Sequence, residues 1–360
     1  MPSCWPRAGI TPRCTGCSSV TRAEVLPAGG LAGIWYGGSS MPGLLLQPLA
    51  ALYGLGVRLR RAAYRRGWLA SGHPGVPVIV VGNLTVGGVG KTPLVDWLAV
   101  RLREAGLQPG IVSRGYGGVP QRVPLRVEAD GDPAIVGDEP LLLARRTGVP
   151  VVVCVDRLQA ALAAVAAGAD IILADDGLQH YALRRDVEIV VVDGQRRWGN
   201  GRLLPAGPLR EPLSRLGEVD LVLSNGGEPQ AGEAGFSLQL REAVSLADGR
   251  RRTLGGFAGQ SVWSVAGIGN PARFHAALAA FGIKPQPVAV ADHGRADLAH
   301  LRREASWPIL MTEKDAVKYP QWRDPDSWYL PAGLQMPAAS AALLMGCIAS
   351  RLGLQGVSLG

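Results

Sequence analysis

The stretch Val78-Ile79-Val80-Val81-Gly82-Asn83-Leu84-Thr85-Val86-Gly87-Gly88-Val89-Gly90-Lys91-Thr92 decides how the rest of the chain is read. Its four β-branched apolar residues predict a buried strand, its glycines a loop, and Gly90-Lys91-Thr92 the start of a helix. That arrangement wraps backbone N–H groups around phosphates, because bulky side chains would hold the backbone away from the anion. Thr85, Val86, Gly87, Gly88, Val89, Gly90, Lys91 and Thr92 are therefore the candidate loop for a nucleoside triphosphate. Lys91 supplies a point charge to the outer phosphates, and the Thr92 hydroxyl suits Mg²⁺. One position departs from the common pattern: Thr85 stands where a first glycine is usual.

Outward from this loop, strands and helices alternate. Pro93 to Ala105 reads as a helix, Gly110 to Ser113 and Val149 to Val155 as buried strands, and Arg157 to Ala167 as an Ala-rich helix. Further strands are expected at Asp170 to Ala174, Val187 to Val192 and Val219 to Leu223. Such alternation predicts a parallel sheet covered on both faces, a P-loop NTPase-like α/β fold. The second half is less regular: strands at Phe236 to Leu240, Val262 to Ala266, Val288 to Val290 and Ile309 to Met311, with helices at Pro271 to Phe281, Arg295 to Ala305 and Ala338 to Leu352. Gly, Glu, Pro and Gln cluster between Asn225 and Gly235, so a boundary is expected there. The expected plan is a kinase-type nucleotide domain over 76–225 and a smaller α/β domain over 236–352.

Composition narrows the partners. The 360-residue chain has room for two domains, and its net charge of +8 implies anionic company: nucleotide, nucleic acid or a membrane surface. No basic run is interleaved with Tyr or Phe, so nucleic-acid stacking has little support. Of 37 basic residues only Lys91, Lys284, Lys314 and Lys318 are Lys, and a chain so committed to Arg writes Lys where an ammonium is needed. Cys14-Thr15-Gly16-Cys17 has metal-ligand spacing, but no second pair or His cluster completes a site, and Cys154 lies in an apolar run. Neither a zinc site nor a disulfide framework is expected, and a reducing compartment fits. Residues 1–30 show no periodicity and no secretory core, and are expected to be a disordered extension.

Residues 41–68 form a different object. Leu44 to Val57 is almost wholly apolar, and Arg58, Arg60, Arg61, Arg65 and Arg66 follow. About fifteen apolar residues are too few to span a bilayer, which takes roughly 20. On a helix Leu52, Leu55 and Leu59 share one side while Arg58, Arg61 and Arg65 share another, which predicts a basic amphipathic helix lying in an anionic interface. The alternative is a helix packed on its own domain with a solvated Arg face.

Several groups carry chemistry. Ile171-Ile172-Leu173-Ala174-Asp175-Asp176 is an apolar strand ending in two carboxylates, as the metal-bearing strand of a phosphate-loop protein ends. Asp138 lies in a Gly-Asp-Glu-Pro turn at a helix start, where a plain N-cap would also place it. His293 follows a strand in Ala291-Asp292-His293-Gly294. Thr312-Glu313-Lys314-Asp315 has the wrong Lys-to-Asp spacing for guanine reading. Gly199 to Pro212, with Arg202, Arg210 and Glu211, lacks any packing period and reads as a binding loop.

Taken in order, Asn83-Leu84-Thr85-Val86-Gly87-Gly88-Val89-Gly90-Lys91-Thr92-Pro93, Ser113-Arg114-Gly115-Tyr116-Gly117, Gly137-Asp138-Glu139-Pro140, Asp175-Asp176-Gly177-Leu178-Gln179-His180, Gly199 to Pro212 and Thr312 to Lys318 resemble the tetraacyldisaccharide 4′-kinase (lipid A 4′-kinase) family of Gram-negative bacteria. The resemblance runs from about Trp35 to the C-terminal helix; it departs at Gly294, where the family usually has a second His. It implies ATP- and Mg²⁺-dependent phosphorylation of the 4′-hydroxyl of a tetraacyldisaccharide 1-phosphate at the cytoplasmic face of the inner membrane, with no nucleic acid and no obligate protein partner. It further implies that Lys91 holds the β- and γ-phosphates, Thr92 and Asp175 the metal, and that Asp138 is the base with His293 tuning it. Asp176 joins the catalytic set, and Arg114, Arg157, Arg210 and Glu211 hold the acceptor. The rival reading is a membrane-recruited ATPase switch that binds a partner protein, which would need neither the Gly199 to Pro212 loop nor a second α/β domain. A GTPase-like metallochaperone is disfavoured by the missing base-reading motif and Cys/His clusters.

Overall fold

The computed structural model describes residues 31–37 and 41–353. The expectations for residues 1–30, including Cys14 and Cys17, lie outside them. Strands follow in chain order as β1 (Val78–Gly82), β2 (Pro109–Ser113), β3 (Leu125–Arg126), β4 (Val151–Val153), β5 (Ile171–Asp175), β6 (Val187–Asp193), β7 (Leu221–Asn225) and β8 (Glu233–Leu240). Then come β9 (Glu242–Ser245), β10 (Arg251–Thr253), β11 (Ser261–Val265), β12 (Lys284–Val288), β13 (Ile309–Thr312), β14 (Ser327–Leu330) and β15 (Ala332–Gln335).

Nine strands form one sheet in the order β15-β8-β7-β6-β1-β5-β2-β4-β3. Its interior is parallel, and the edges β3 and β15 are antiparallel to their neighbours. The reason lies in the β1 run itself: successive side chains point to opposite faces. Ile79 and Val81 enter a core with the helices Lys91–Glu104, Asp138–Thr147 and Ala338–Leu352. Val78 and Val80 enter another with the helix Arg157–Ala166. The expected doubly covered sheet is thus present, and Val81 pairs with Asp175, so the carboxylate pair ends beside the strand that feeds the phosphate loop.

The second sheet has six strands in the order β10-β9-β14-β13-β11-β12. Its membership moves the expected boundary. Strand β8 hydrogen-bonds to β7 and β15 to β8, and Leu344, Met345 and Ile348 of the C-terminal helix enter the first core. The smaller unit is therefore an insertion from β9 to β14, not the whole of 236–352. The Gly-rich stretch before Gly235 is only the link between two strands of one sheet, with Gly226 and Gly227 at φ 73° and 66°. Strand β12 is Lys-Pro-Gln-Pro-Val and lies four residues ahead of the expected Val288 start. Pro285 and Pro287 lack N–H donors, and an edge strand is where two such residues are tolerated.

The N-terminal segment folds as helices Met41–Leu45 and Gln47–Arg65. Among the described residues no helix is long and apolar enough to cross a membrane. Leu45, Leu49, Leu52, Leu55 and Leu59 are exposed, while Ala50, Gly54 and Arg61 face the protein. Arg61 thus departs from the expected Arg face: it is 8% exposed and pairs with Glu218 at 2.5 Å. A buried guanidinium without a carboxylate would be costly, and Glu218 supplies one.

Candidate active site

The phosphate loop is locally determined. Gly90 caps the helix Lys91–Glu104 at φ 90°, and Gly87 sits at φ 105°, a region that side chains avoid. A Cβ on Gly90 would stand 2.3 Å from Nδ2 of Asn225. Thr85 needs no glycine: it is buried, has no positive φ, and forms an antiparallel bridge with Leu209 of the Gly199 to Pro212 loop. The Val86 N–H donates to the Pro208 carbonyl at 2.8 Å, so the two loops brace each other. Lys91 lies over the loop, donating to Oδ1 of Asn83 at 3.0 Å and pairing with Asp176 at 3.3 Å.

The two aspartates at the end of β5 part company. Asp175 is buried, its Oδ1 has no hydrogen-bond partner, and burial together with Glu139 pushes its carboxyl up to about 7 against the pull of Lys91. Asp176 turns outward at φ 50°. Burial opposes its ionisation, but Lys91 and Arg210, the latter at 3.1 Å, hold it down to about 2. Hard oxygen donors at Asp175 and Thr92 fit a Mg²⁺ ion, and the unsatisfied Asp175 oxygen is the observation for it.

A second cluster joins the two sheets. Asp138 begins the helix Asp138–Thr147 and is 3% exposed. Its Oδ1 accepts from Nδ1 of His293 at 2.8 Å and from the Glu139 N–H at 3.0 Å. His293, at φ 61° in the loop after β12, packs edge-on against Tyr116 at 4.7 Å. Lys318 stands 3.6 Å and Lys314 4.0 Å from Oδ2 of Asp138, which itself has no hydrogen-bond partner. Although burial disfavours charge on Asp138, His293 and the two lysines hold its carboxyl below the usual range. Lys314 also pairs with Glu139 at 3.0 Å and Asp292 at 3.3 Å, which keeps it protonated despite burial.

Two cavities meet at Lys91. One of about 230 Å³ runs from Gly88 and Thr92 to Ile268 and Phe274 of the inserted unit. The other, about 920 Å³, is walled by Arg60, Arg114, Arg157, Arg210, His293 and by Tyr53 of the N-terminal helix. Gly88, Lys91, Glu139 and Lys314 border both. Arg157 is 4% exposed, its Nε is unpartnered, and burial lowers it to about 10 while Asp176 opposes that shift. Burial and Arg157 push His180 down to about 4, so it is neutral and its Nε2 accepts from the Arg157 N–H at 3.3 Å. Glu211 also borders this cavity but is spent on Tyr181 and on Arg215 at 3.6 Å.

Each residue to which the resemblance gave a role thus falls at the loop, at the end of β5, in the two-sheet cluster or on the large cavity, whereas Arg202 of the Gly199 to Pro212 loop borders neither of these cavities. Reading the residues alone left out Glu139, Lys314, Lys318, Asn83 and Asn225. Lysine usage carries the signal for two of them: three of the chain's four lysines converge here, and only Lys284 lies away on β12. Asn225 ends β7, where it donates to the Val89 carbonyl at 2.8 Å and accepts from Arg273 at 3.0 Å.

Residues 43–349 match the family model described as tetraacyldisaccharide-1-P 4′-kinase. The tetraacyldisaccharide 4′-kinase of Nitrosococcus oceani is 49% identical over 316 residues, 87% of this chain and 93% of that protein. The one from Alkalilimnicola ehrlichii is 51% identical over 304 residues, 84% of this chain and 92% of that protein. Among solved structures, the "apo" form of LpxK from Aquifex aeolicus in complex with ATP superposes with a TM-score of 0.70 at 29% identity, covering 86% of this chain and 99% of that one.

Proposed function

We propose, from the premise that this chain belongs to the tetraacyldisaccharide-1-phosphate 4′-kinase family, that it transfers the γ-phosphate of ATP to the 4′-hydroxyl of a tetraacyldisaccharide 1-phosphate. The carrying observation is the position of Lys91 at the meeting of two cavities, one opening from the phosphate loop and one ringed by arginines. The nucleotide takes the smaller cavity, with its phosphates on the Gly87 to Thr92 backbone. The acceptor takes the larger one, where Arg114, Arg157 and Arg210 meet its anionic end and Glu211 supports the wall through Arg215.

Phosphoryl transfer depends mainly on position and charge neutralisation. Lys91 meets the negative charge that shifts between the β- and γ-phosphates, and Asp176, shared with Arg210, fixes where its ammonium stands. Asp175 and Thr92 are the residues to hold Mg²⁺, which when bound neutralises phosphate oxygens. Asp138 and His293 act as one proton-accepting pair: the buried Asp138 carboxylate accepts from Nδ1 of His293, and His293 is the member of the pair that borders the acceptor cavity. Lys314, bordering both cavities, adds positive charge on the path of the phosphoryl group.

The exposed leucines of the helix Gln47–Arg65 support our reading that the enzyme works on an anionic membrane surface, the cytoplasmic face of the inner membrane, and no described helix is long and apolar enough to span it. Incubation with Mg²⁺-ATP and the disaccharide 1-phosphate in mixed micelles is expected to add a second phosphate to the lipid. ADP release without lipid phosphorylation would defeat this reading and favour the ATPase switch.

A further inference from the structure

We infer that Tyr53 is a positioning residue for the transfer, tying the seating of the apolar helix to the Arg210, Asp176 and Lys91 chain; the inference rests on the kinase reading above. Tyr53 borders the large cavity, and its hydroxyl donates to the main-chain carbonyl of Arg210 at 3.0 Å. The N–H of the same Arg210 donates to the Leu84 carbonyl, at the entrance to the phosphate loop, at 2.6 Å. The backbone of Arg210 is therefore clamped between loop and helix. Its guanidinium holds Asp176 at 3.1 Å, and Asp176 holds Lys91 at 3.3 Å.

Asp176 needs that hold. A non-glycine residue at φ 50° is strained and keeps its conformation only where its surroundings impose it. Arg61 adds a second link from the same helix through Glu218, which stands 3.6 Å from Arg215, itself 3.6 Å from Glu211. The helix thus restrains both members of the Arg210-Glu211 pair. At Gly54 a Cβ would come 2.7 Å from Cδ1 of Leu203, so the seat is close as well as polar. A plain anchor needs only the outward leucines. With Arg61 on its inner side and the half-exposed Tyr53 reaching the Arg210 carbonyl from the rim of the cavity, this helix also sets where the catalytic lysine stands, so turnover depends on its seating even when the acceptor is not in a bilayer.

The test is steady-state kinetics of Tyr53→Phe on detergent-dispersed acceptor, alone and in an Arg210→Lys background, with vesicle sedimentation and thermal unfolding alongside. Loss of one positioning hydrogen bond is expected to lower kcat about three- to tenfold while KM for ATP and for acceptor stays within about twofold. Vesicle binding and thermal midpoint are expected to match wild type, because the ring remains. In the Arg210→Lys background the hydroxyl should matter little, since its effect passes through Arg210. Wild-type kcat in Tyr53→Phe, an equal loss in both backgrounds, or a loss confined to bilayer substrate would each overturn the inference. A wild-type protein that consumes ATP but leaves the lipid unchanged would overturn the kinase reading and this inference with it.

Discussion

The phosphate loop and the Asp138 cluster each centre on buried charge, yet they are built in opposite ways. The loop lies within fifteen consecutive residues, and its shape follows from where glycines permit positive φ. The cluster draws Asp138 from the start of a helix packed on the first sheet and His293, Lys314 and Lys318 from a loop and a short helix with its following turn in the inserted unit, more than 150 residues apart for the Asp138 and His293 pair. The difference teaches that a charge on a local frame can be removed without disturbing its surroundings, whereas a charge that joins two units also helps to hold them together.

Lys91→Ala gives the largest expected effect, a loss of about a thousandfold in kcat, comparable with removing a preorganised donor from a transition state. Its circular dichroism and thermal midpoint should stay those of wild type, because the glycines and not the ammonium shape the loop. Near-normal turnover would break the nucleotide half of the comparison. For His293→Ala the expected loss is about a hundredfold, the scale of general acid–base assistance. If Asp138 and His293 act as one pair, the double variant with Asp138→Ala should lose little more than the worse single one; additive losses would show two separate roles.

Acid sharpens the comparison through stability. The Asp138 carboxyl lies lower in the folded protein than in the unfolded chain, so its contribution is complete above the unfolded carboxylate range near 4 and is lost as pH falls below it. Between pH 7 and pH 3 the thermal midpoint of wild type should therefore fall more steeply than that of Asp138→Asn. Parallel curves would mean that the carboxylate adds nothing to joining the sheets. The smallest effect on chemistry is expected from Leu52→Ser, Leu55→Ser and Leu59→Ser together, with turnover on detergent-dispersed acceptor within about twofold of wild type. The same variant should leave anionic vesicles on sedimentation, and high salt should release part of the wild type, since each surface Arg contributes about 1 kcal/mol at low ionic strength. Failure of wild type to bind vesicles at either salt would make the helix a purely internal element.

Legibility in the sequence followed locality. The strand and loop from Val78 to Thr92 were readable because the apolar run, glycine placement and helix start all lie within fifteen consecutive residues. Asp175 and Asp176 were readable for the same reason, as the polar end of an apolar run. Lys314 and Lys318 were not, since a short helix after β13 shows no period of its own, and only their rarity marked them. Strands β3, β10 and β15 escaped because short, partly exposed runs such as Arg251–Thr253 and Ala332–Gln335 look like loops until a neighbour satisfies their backbone groups, and β9 and β14 because four residues, though mostly buried, are too few to show a period.

By itself the sequence determined the parallel sheet, the phosphate loop, the paired carboxylates at the end of β5 and the apolar character of the N-terminal helix, all of which are properties of neighbours along the chain. Only the tertiary structure decided that the last strand and helix return to the first sheet, that Arg61 turns inward to Glu218, and that Asp138 meets His293 and two lysines. Those outcomes depend on which apolar faces and buried charges find partners across long sequence separations, and a desolvated charge or an unpaired strand edge is satisfied only by a group the fold brings to it.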